Sequence, residues 1–165
     1  MDVRIKRIED GRIPQCFNGN WMDTYVRQVE VIRGYQVNGE FSFKQALETF
    51  TEGTVQYNPG DIIICRLGFA IELPKGFELH LLPRSGTFRK TGLILTNSMG
   101  IGDDTYIGDN DEYLAVLYAT RRASFDIGDR LIQIRIEESM QNKYNLIEVD
   151  YFGNQDRGGY GSTGK

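Results

Sequence analysis

The 165-residue chain is poor in the residues that build metal and disulfide sites, with one histidine and two cysteines. With His80 alone, a histidine-rich metal centre is excluded, and a catalytic triad would rest entirely on a ring inside the alternating run Phe77–Leu81. That alternation makes His80 a solvent-side strand residue. Cys16 and Cys65 lie far apart and make neither a disulfide framework nor a zinc spacing, the usage of a reducing cytosol. No run of about 18 apolar residues occurs, and Met1–Lys6 carries no apolar leader segment. A soluble, cytoplasmic protein without a membrane partner is expected. Basic charge is also short: 19 Lys and Arg against 23 Asp and Glu leave a formal net charge of −4. This argues against a nucleic-acid polymer as partner, since backbone binding needs a basic face. It leaves room for a single nucleotide, which a few well-placed arginines can hold.

What is present suggests strands and turns. The length suits one domain with a sizeable core. The 19 glycines, nine Tyr and nine Phe accompany few heptad-like runs. Val3 to Ile8, Tyr25–Ile32, Ile62–Arg66, Ala70–Leu73, Phe77–Leu82, Leu93–Thr96, Tyr113–Thr120, Arg130–Ile136 and Tyr144–Val149 read as strands. Asn38-Gly39 between alternating flanks predicts a hairpin, because a type I′ turn needs positive φ at both positions. Asn58-Pro59-Gly60-Asp61 and Pro74-Lys75-Gly76 predict turns. Lys44–Phe50 predicts one or two helical turns. Short strands at this spacing, without a long helix, indicate an all-β sandwich or barrel. The segment 156–165, rich in glycine, reads as a mobile end whose backbone N–H groups could wrap a phosphate.

The densest chemistry lies in residues 83–112. Arg84-Ser85 pairs a forked cation with a hydroxyl, a combination suited to phosphate oxygens. Asn97, Asp103, Asp104, Tyr106, Asp109 and Asp111 follow among Gly100, Gly102 and Gly108, glycines that suit tight turns and close backbone approach to a ligand. Local composition alone leaves this stretch either an acidic loop or a site.

The wider pattern resembles the trimeric dUTPase family, in its bacterial and phage branch. In order, the similarity runs through Asn20-Trp21-Met22-Asp23, then Pro83-Arg84-Ser85-Gly86 with Lys90 and Gly92, then Asn97 to Tyr106. It continues with Gly128-Asp129-Arg130-Leu131-Ile132-Gln133 and Arg157-Gly158-Gly159-Tyr160-Gly161-Ser162-Thr163-Gly164. The resemblance implies an all-β, distorted jelly-roll-like barrel spanning 1–155, with 156–165 as a tail closing over the active site. It implies a homotrimer whose active sites form between subunits, and hydrolysis of dUTP to dUMP and pyrophosphate with Mg²⁺.

Site roles follow from the same resemblance. Asp103 would activate water for attack at the α-phosphorus. Arg84, Ser85 and Gly86 would hold phosphate and the leaving bridge oxygen. Asn97 and the backbone from Gly100 would pair with uracil, whose two carbonyls flank one N–H. Tyr106 would pack on the deoxyribose and exclude a 2′-hydroxyl. Gln133 would support the phosphates or metal-bound water, with Asp23 as an orienting or outer-shell group rather than a direct ligand. Arg157 would fork onto the γ-phosphate, Tyr160 would cover the base, and Gly161, Ser162 and Thr163 would close on the phosphates.

The chain departs from the family pattern at Asn20-Trp21-Met22-Asp23, commonly Ala-Gly-Tyr-Asp, and at Tyr160, more usually Phe. Gly102 stands where an aliphatic residue normally precedes the catalytic Asp. Residues 33–54 look like an insertion. Two alternatives remain at this level: a dCTP deaminase of the same fold, and a phage regulatory binding protein using 33–54 as its contact.

Overall fold

The computed structural model describes residues 2–34, 48–141 and 143–157. Among them the chain forms thirteen strands and one short helix. The strands are β1 (Arg4–Arg7), β2 (Met22–Asp23), β3 (Gln28–Ile32), β4 (Glu48–Phe50), β5 (Thr54–Tyr57), β6 (Ile62–Arg66) and β7 (Phe69–Glu72). They continue as β8 (Phe77–Pro83), β9 (Leu93–Leu95), β10 (Gly100–Gly102), β11 (Leu114–Ala119), β12 (Ala123–Asp126) and β13 (Ile132–Glu138). Helix α1 is Thr87–Thr91.

A four-stranded sheet runs β10-β8-β13-β2 and a five-stranded sheet runs β4-β3-β6-β11-β9, with small pairs β1-β7 and β12-β5 beside them. Side-chain alternation explains why the large sheets face a common core. In β11, Ala115, Leu117 and Ala119 are buried while Leu114, Val116 and Tyr118 are half-buried on the other face. Leu79 and Leu81 of β8 and Ile132 and Ile134 of β13 meet Val29, Val31, Ile63, Cys65 and Leu117 in one cluster. β6 has no alternation and needs none: Ile63 and Cys65 enter this core, while Ile62 and Ile64 pack with Ile32 on the opposite face. The jelly-roll-like, all-β expectation is met, with the sheets left open rather than closed into a barrel.

The strands expected at Ile62–Arg66, Phe77–Leu82, Leu93–Thr96, Tyr113–Thr120 and Arg130–Ile136 all form, within a residue or two at their ends. His80 takes its expected place between buried Leu79 and Leu81, half-buried, with Nε2 2.7 Å from Glu78 Oε1 on the same face.

Two expectations need correction. Glu48–Phe50, expected as helical, pair antiparallel with β3, matching Val29 to Phe50 and Val31 to Glu48. The Arg33 guanidinium forks onto Glu48 at 2.7 and 3.2 Å and also reaches Asp61 at 2.9 Å, so cross-strand pairing overrides the local helix preference. Residues 44–47 and the Asn38-Gly39 turn lie outside the described residues. Tyr144–Val149 is the second case: it is no strand here, because after the interior strand β13 the chain pairs with no sheet. The strands Ala123–Asp126 and Gly100–Gly102 and the helix α1 were not anticipated from periodicity.

One close backbone crossing fixes where the turn between β6 and β7 sits. Gly68 adopts φ +74° in that turn, and its carbonyl accepts from Ile8 N–H at 3.0 Å. A Cβ on Gly11 would lie 2.2 Å from the Gly68 carbonyl oxygen, so two glycines are needed for the chains to cross. Gly11→Ala is therefore expected to cost about 1–3 kcal/mol or more through forced backbone movement, read as a lowered denaturation midpoint with an unchanged m-value.

Candidate active site

Of the predicted site residues, Asn97, Gly100 and Tyr106 line one cavity and Asp23, Arg84, Ser85 and Gln133 another, near opposite edges of the four-stranded sheet, while Asp103 and Gly86 line neither. The first, of about 210 Å³, is lined by Leu81, Asn97, Gly100–Gly102, Tyr106 and Glu112–Leu114. The second, of about 510 Å³, is lined by residues 17–21, Asp23, Arg84, Ser85, Arg130 and Gln133. They share no lining residue.

The first cavity is built by a hairpin. Asn97 turns the chain out of β9, helped by Ser98 at φ +61° and by Met99 N–H donating to Asn97 O at 2.6 Å. β10 then pairs with β8, placing Gly100 opposite Leu81 and Gly102 opposite Leu79. Asp103 follows, with its side chain in solvent. Its Oδ1 accepts from both the hydroxyl and the N–H of Thr105, the latter at 2.8 Å. The Thr105 hydroxyl and then its N–H hold the carboxyl below the ordinary range, so Asp103 is anionic at neutral pH. Both Thr105 bonds fall on Oδ1, and the Tyr106 N–H adds a weaker one to the carboxyl. Tyr106 donates its hydroxyl to Glu112 O at 3.0 Å and meets the Tyr113 ring edge-on at 5.3 Å between centroids.

Glu112 was not singled out from the sequence, yet it anchors this loop. Its carboxylate is buried and takes a bidentate fork from Arg27, at 2.7 and 2.8 Å. It also accepts the Gly68 N–H at 2.9 Å, and Arg66 lies 3.4 Å away. Burial alone would raise the Glu112 pKa; the Arg27 hydrogen bonds, the Gly68 N–H and the two guanidinium charges outweigh it and hold the carboxyl low.

In the second cavity Asp23 sits on β2 opposite Gln133 of β13. Its Oδ1 meets Arg84 Nε at 2.7 Å and its Oδ2 meets Arg130 Nη1 at 3.1 Å. Two guanidinium groups against one carboxylate leave an excess positive charge, suited to an anion. Arg84 N–H is tied to Leu131 O at 3.0 Å, and Gln133 donates to Pro83 O at 3.2 Å. Arg130 is the cation that sequence reasoning passed over, although it lies inside a block that was recognised. It also covers the Phe17 ring at 4.5 Å. Ser85 and Gly86 lead into α1. No cluster of three or more metal-ligating side chains occurs among the described residues. Arg157 is exposed and lines neither cavity. Tyr160, Gly161, Ser162 and Thr163 lie outside the described residues.

No family model matches the chain. It is 52% identical over 166 residues to the SPbeta prophage-derived deoxyuridine 5'-triphosphate nucleotidohydrolase YosS of Bacillus subtilis (strain 168), covering 99% of each chain. The chain belongs to the dUTPase family. The dUTPase of Neorickettsia sennetsu is 34% identical over 72% of this chain and 78% of its own length. Among solved structures, a mutant Staphylococcus bacteriophage 80alpha dUTPase with dUpNHpp superposes with a TM-score of 0.65 at 16% identity, covering 99% of this chain and 98% of that one. The Streptococcus mutans dUTPase superposes at 0.60 with 20% identity, covering 88% of this chain and 98% of that one. These structural likenesses establish the dUTPase fold. No helix among the described residues is long and apolar enough to cross a membrane.

The Glu112 arrangement makes a pH prediction. A carboxyl held below its unfolded value contributes stability that is fully present above that value, about 4.3, and is lost as pH falls through the folded pKa. Glu112→Gln should therefore lower stability at neutral pH, by about 3–5 kcal/mol if the buried guanidinium is left uncompensated. It should also flatten the acid limb of a melting temperature against pH profile.

Proposed function

We propose that this dUTPase-family chain hydrolyses dUTP to dUMP and pyrophosphate, acting on the soluble nucleotide pool of the cytoplasm. The observation that carries the reading is the hairpin cavity of Asn97, Gly100 and Tyr106, followed directly by an exposed, anionic Asp103. Uracil offers an acceptor–donor–acceptor edge that strand backbone groups can match; cytosine would leave buried groups unpaired, at about 1–3 kcal/mol or more. Tyr106 packs on the deoxyribose where a 2′-hydroxyl would collide.

Asp103 orients a water through its carboxylate and receives the proton as that water attacks the α-phosphorus. The bond from the α-phosphorus to the bridging oxygen breaks, and pyrophosphate leaves. A carboxylate held this acidic is a weak base, so its effect comes from holding the water in line. Arg84, Ser85 and Gly86 hold phosphate oxygens, with Arg130 adding charge. Asp23 keeps Arg84 and Arg130 aligned. One carboxylate already paired to two guanidiniums, beside the Gln133 amide, fits outer-shell contact to hydrated Mg²⁺ rather than direct ligation. When bound with the substrate, Mg²⁺ neutralises triphosphate charge. A phage phi11 dUTPase mutant from S. aureus carries a structural Mg(II) ion.

The separation of the cavities supports an assembly. β10 and β2 are the two edges of one sheet, three strand spacings or about 14 Å apart. We place the complete site between copies in a homotrimer, with the hairpin of one copy facing the Asp23–Arg84 basin of another. The arm after β13 supports this: Leu146 is 92% exposed, Ile147 80% and Phe152 84%, apolar surface that a neighbouring copy would cover. The tail from residue 156, with Arg157, Tyr160, Gly161, Ser162 and Thr163, closes on the bound triphosphate and excludes water.

Asp103→Asn should bind dUTP with near-parental affinity yet lose turnover by at least about 100-fold; a variant hydrolysing at the parental rate would remove Asp103 from this role. Product analysis separates the reaction class: pyrophosphate from dUTP is expected, whereas ammonia from dCTP would identify a deaminase. Truncation after Gln155 should cripple hydrolysis while leaving the mass in light scattering at that of a trimer, because the apolar arm is retained.

A further inference from the structure

The Asp23–Arg84 basin is carried by the weakest ends of its sheet. β2 pairs with β13 over just two residues, Met22 and Asp23. On the other side β8 ends at Pro83, opposite Ile132, and proline has no N–H to give the ladder. Groups that act together on one bound anion must nonetheless be held to within about 1 Å. The strand ladders alone give these ends little to hold them.

Two buried threonines supply what the ladders lack. Three consecutive carbonyls, of Arg130, Leu131 and Ile132, lead into β13, and the flanking segments take all three. Thr24 donates both its N–H and its hydroxyl to Ile132 O, each at 3.0 Å. Leu131 O accepts the Arg84 N–H at 3.0 Å and the Thr87 hydroxyl at 2.6 Å. Arg84 Nη1 reaches Arg130 O at 3.2 Å. Thr24 is 1% exposed and Thr87 3%, and neither lines the basin.

Packing does not call for these hydroxyls. Each of the two carbonyls already accepts a backbone N–H, so neither would be left unpaired without them. Valine has the same branched shape and would bury no polar group. What each hydroxyl adds is a second bond to a carbonyl, made from a direction the strand ladder does not supply. Asp23 directly precedes Thr24, Gln133 directly follows Ile132, and Arg84 lies less than one helical turn before Thr87. A slip at either bond therefore moves the basin side chains with little slack.

We propose that Thr24 and Thr87 are positioning residues of the anion basin. They clamp the segment Arg130–Ile132 between Asp23 and Arg84 and so fix the spacing of the groups that hold the triphosphate. The inference rests on the reading of this chain as a dUTP hydrolase whose phosphates occupy that basin. The hairpin cavity shares no lining residue with the basin, so the clamp acts on phosphate binding and not on the base.

The test compares Thr24→Val and Thr87→Val with Thr24→Ser and Thr87→Ser, each in the full chain. Four quantities are measured: kcat/KM on dUTP, inhibition by pyrophosphate, inhibition by deoxyuridine, and the melting temperature. Pyrophosphate reports on the basin and deoxyuridine on the hairpin cavity. Each Val variant should lower kcat/KM and weaken pyrophosphate inhibition about 5–10-fold, with deoxyuridine inhibition unchanged. Its melting temperature should stay within about 4 °C of the parent, and the Ser variants should behave as the parent. Unchanged pyrophosphate inhibition in both Val variants would overturn the proposal. An equal weakening of both inhibitors, a larger fall in melting temperature, or a loss that Ser does not restore would make the threonines packing residues and refute it. A parental chain that releases no pyrophosphate from dUTP would instead overturn the dUTP hydrolase reading itself.

Discussion

The buried ion pair between Arg27 and Glu112 joins parts of the chain that would otherwise have no reason to meet. Arg27 stands in the link from β2 to β3, Gly68 in the turn from β6 to β7, and Glu112 at the end of the acidic loop. A pair of this kind adds little net stability over a well-packed apolar substitute, but removing one partner strands a buried charge. Its effect is therefore on position more than on overall stability. With Glu112 held by two guanidinium nitrogens and a backbone N–H, the loop from Asp103 returns to the sheet at one place. Tyr106 is tethered to the Glu112 carbonyl and Tyr113 enters β11 beside it. The crossing of Gly11 and Gly68 belongs to the same arrangement, because a side chain at either glycine would push away the turn that supplies the N–H.

Three electrostatic arrangements coexist in this dUTPase. At Glu112 charge is buried and fully matched, which suits a structural anchor. At Asp23 a single carboxylate holds two half-exposed arginines and leaves them with unspent charge. That imbalance is tolerable at an accessible surface and is what a polyanion requires. Asp103 is a further case: exposed and held low chiefly by Thr105.

Period-two alternation and turn residues carried most of the all-β architecture, because each strand must turn one face to the core whatever its partner. Phe77–Leu82 was legible for that reason, and Ile62–Arg66 as a short continuous apolar run following a turn. Glu48–Phe50 was not, since its neighbour β3 and the Arg33 fork decide its state, and those lie outside any local window. Tyr144–Val149 is rich in strand-forming apolar residues, yet such a run makes a strand only where an open edge is available to pair with. Along the proposed site, Arg84, Ser85, Asn97, Asp103, Tyr106 and Gln133 stand out in the sequence because they occur in ordered blocks.

The linear chain therefore determined its strands, its family and the residue types of its chemistry, properties carried by neighbours in sequence. Tertiary structure alone decided which carboxylate is a buried anchor and which stays exposed. Glu112 and Asp103 are both acids in one glycine-rich loop, but only Glu112 meets an arginine 85 residues away. It also decided why position 102 carries no side chain, since the phenol of Tyr113 fills that space. Contacts of this kind depend on distances across the fold, and spacing along the sequence does not encode them.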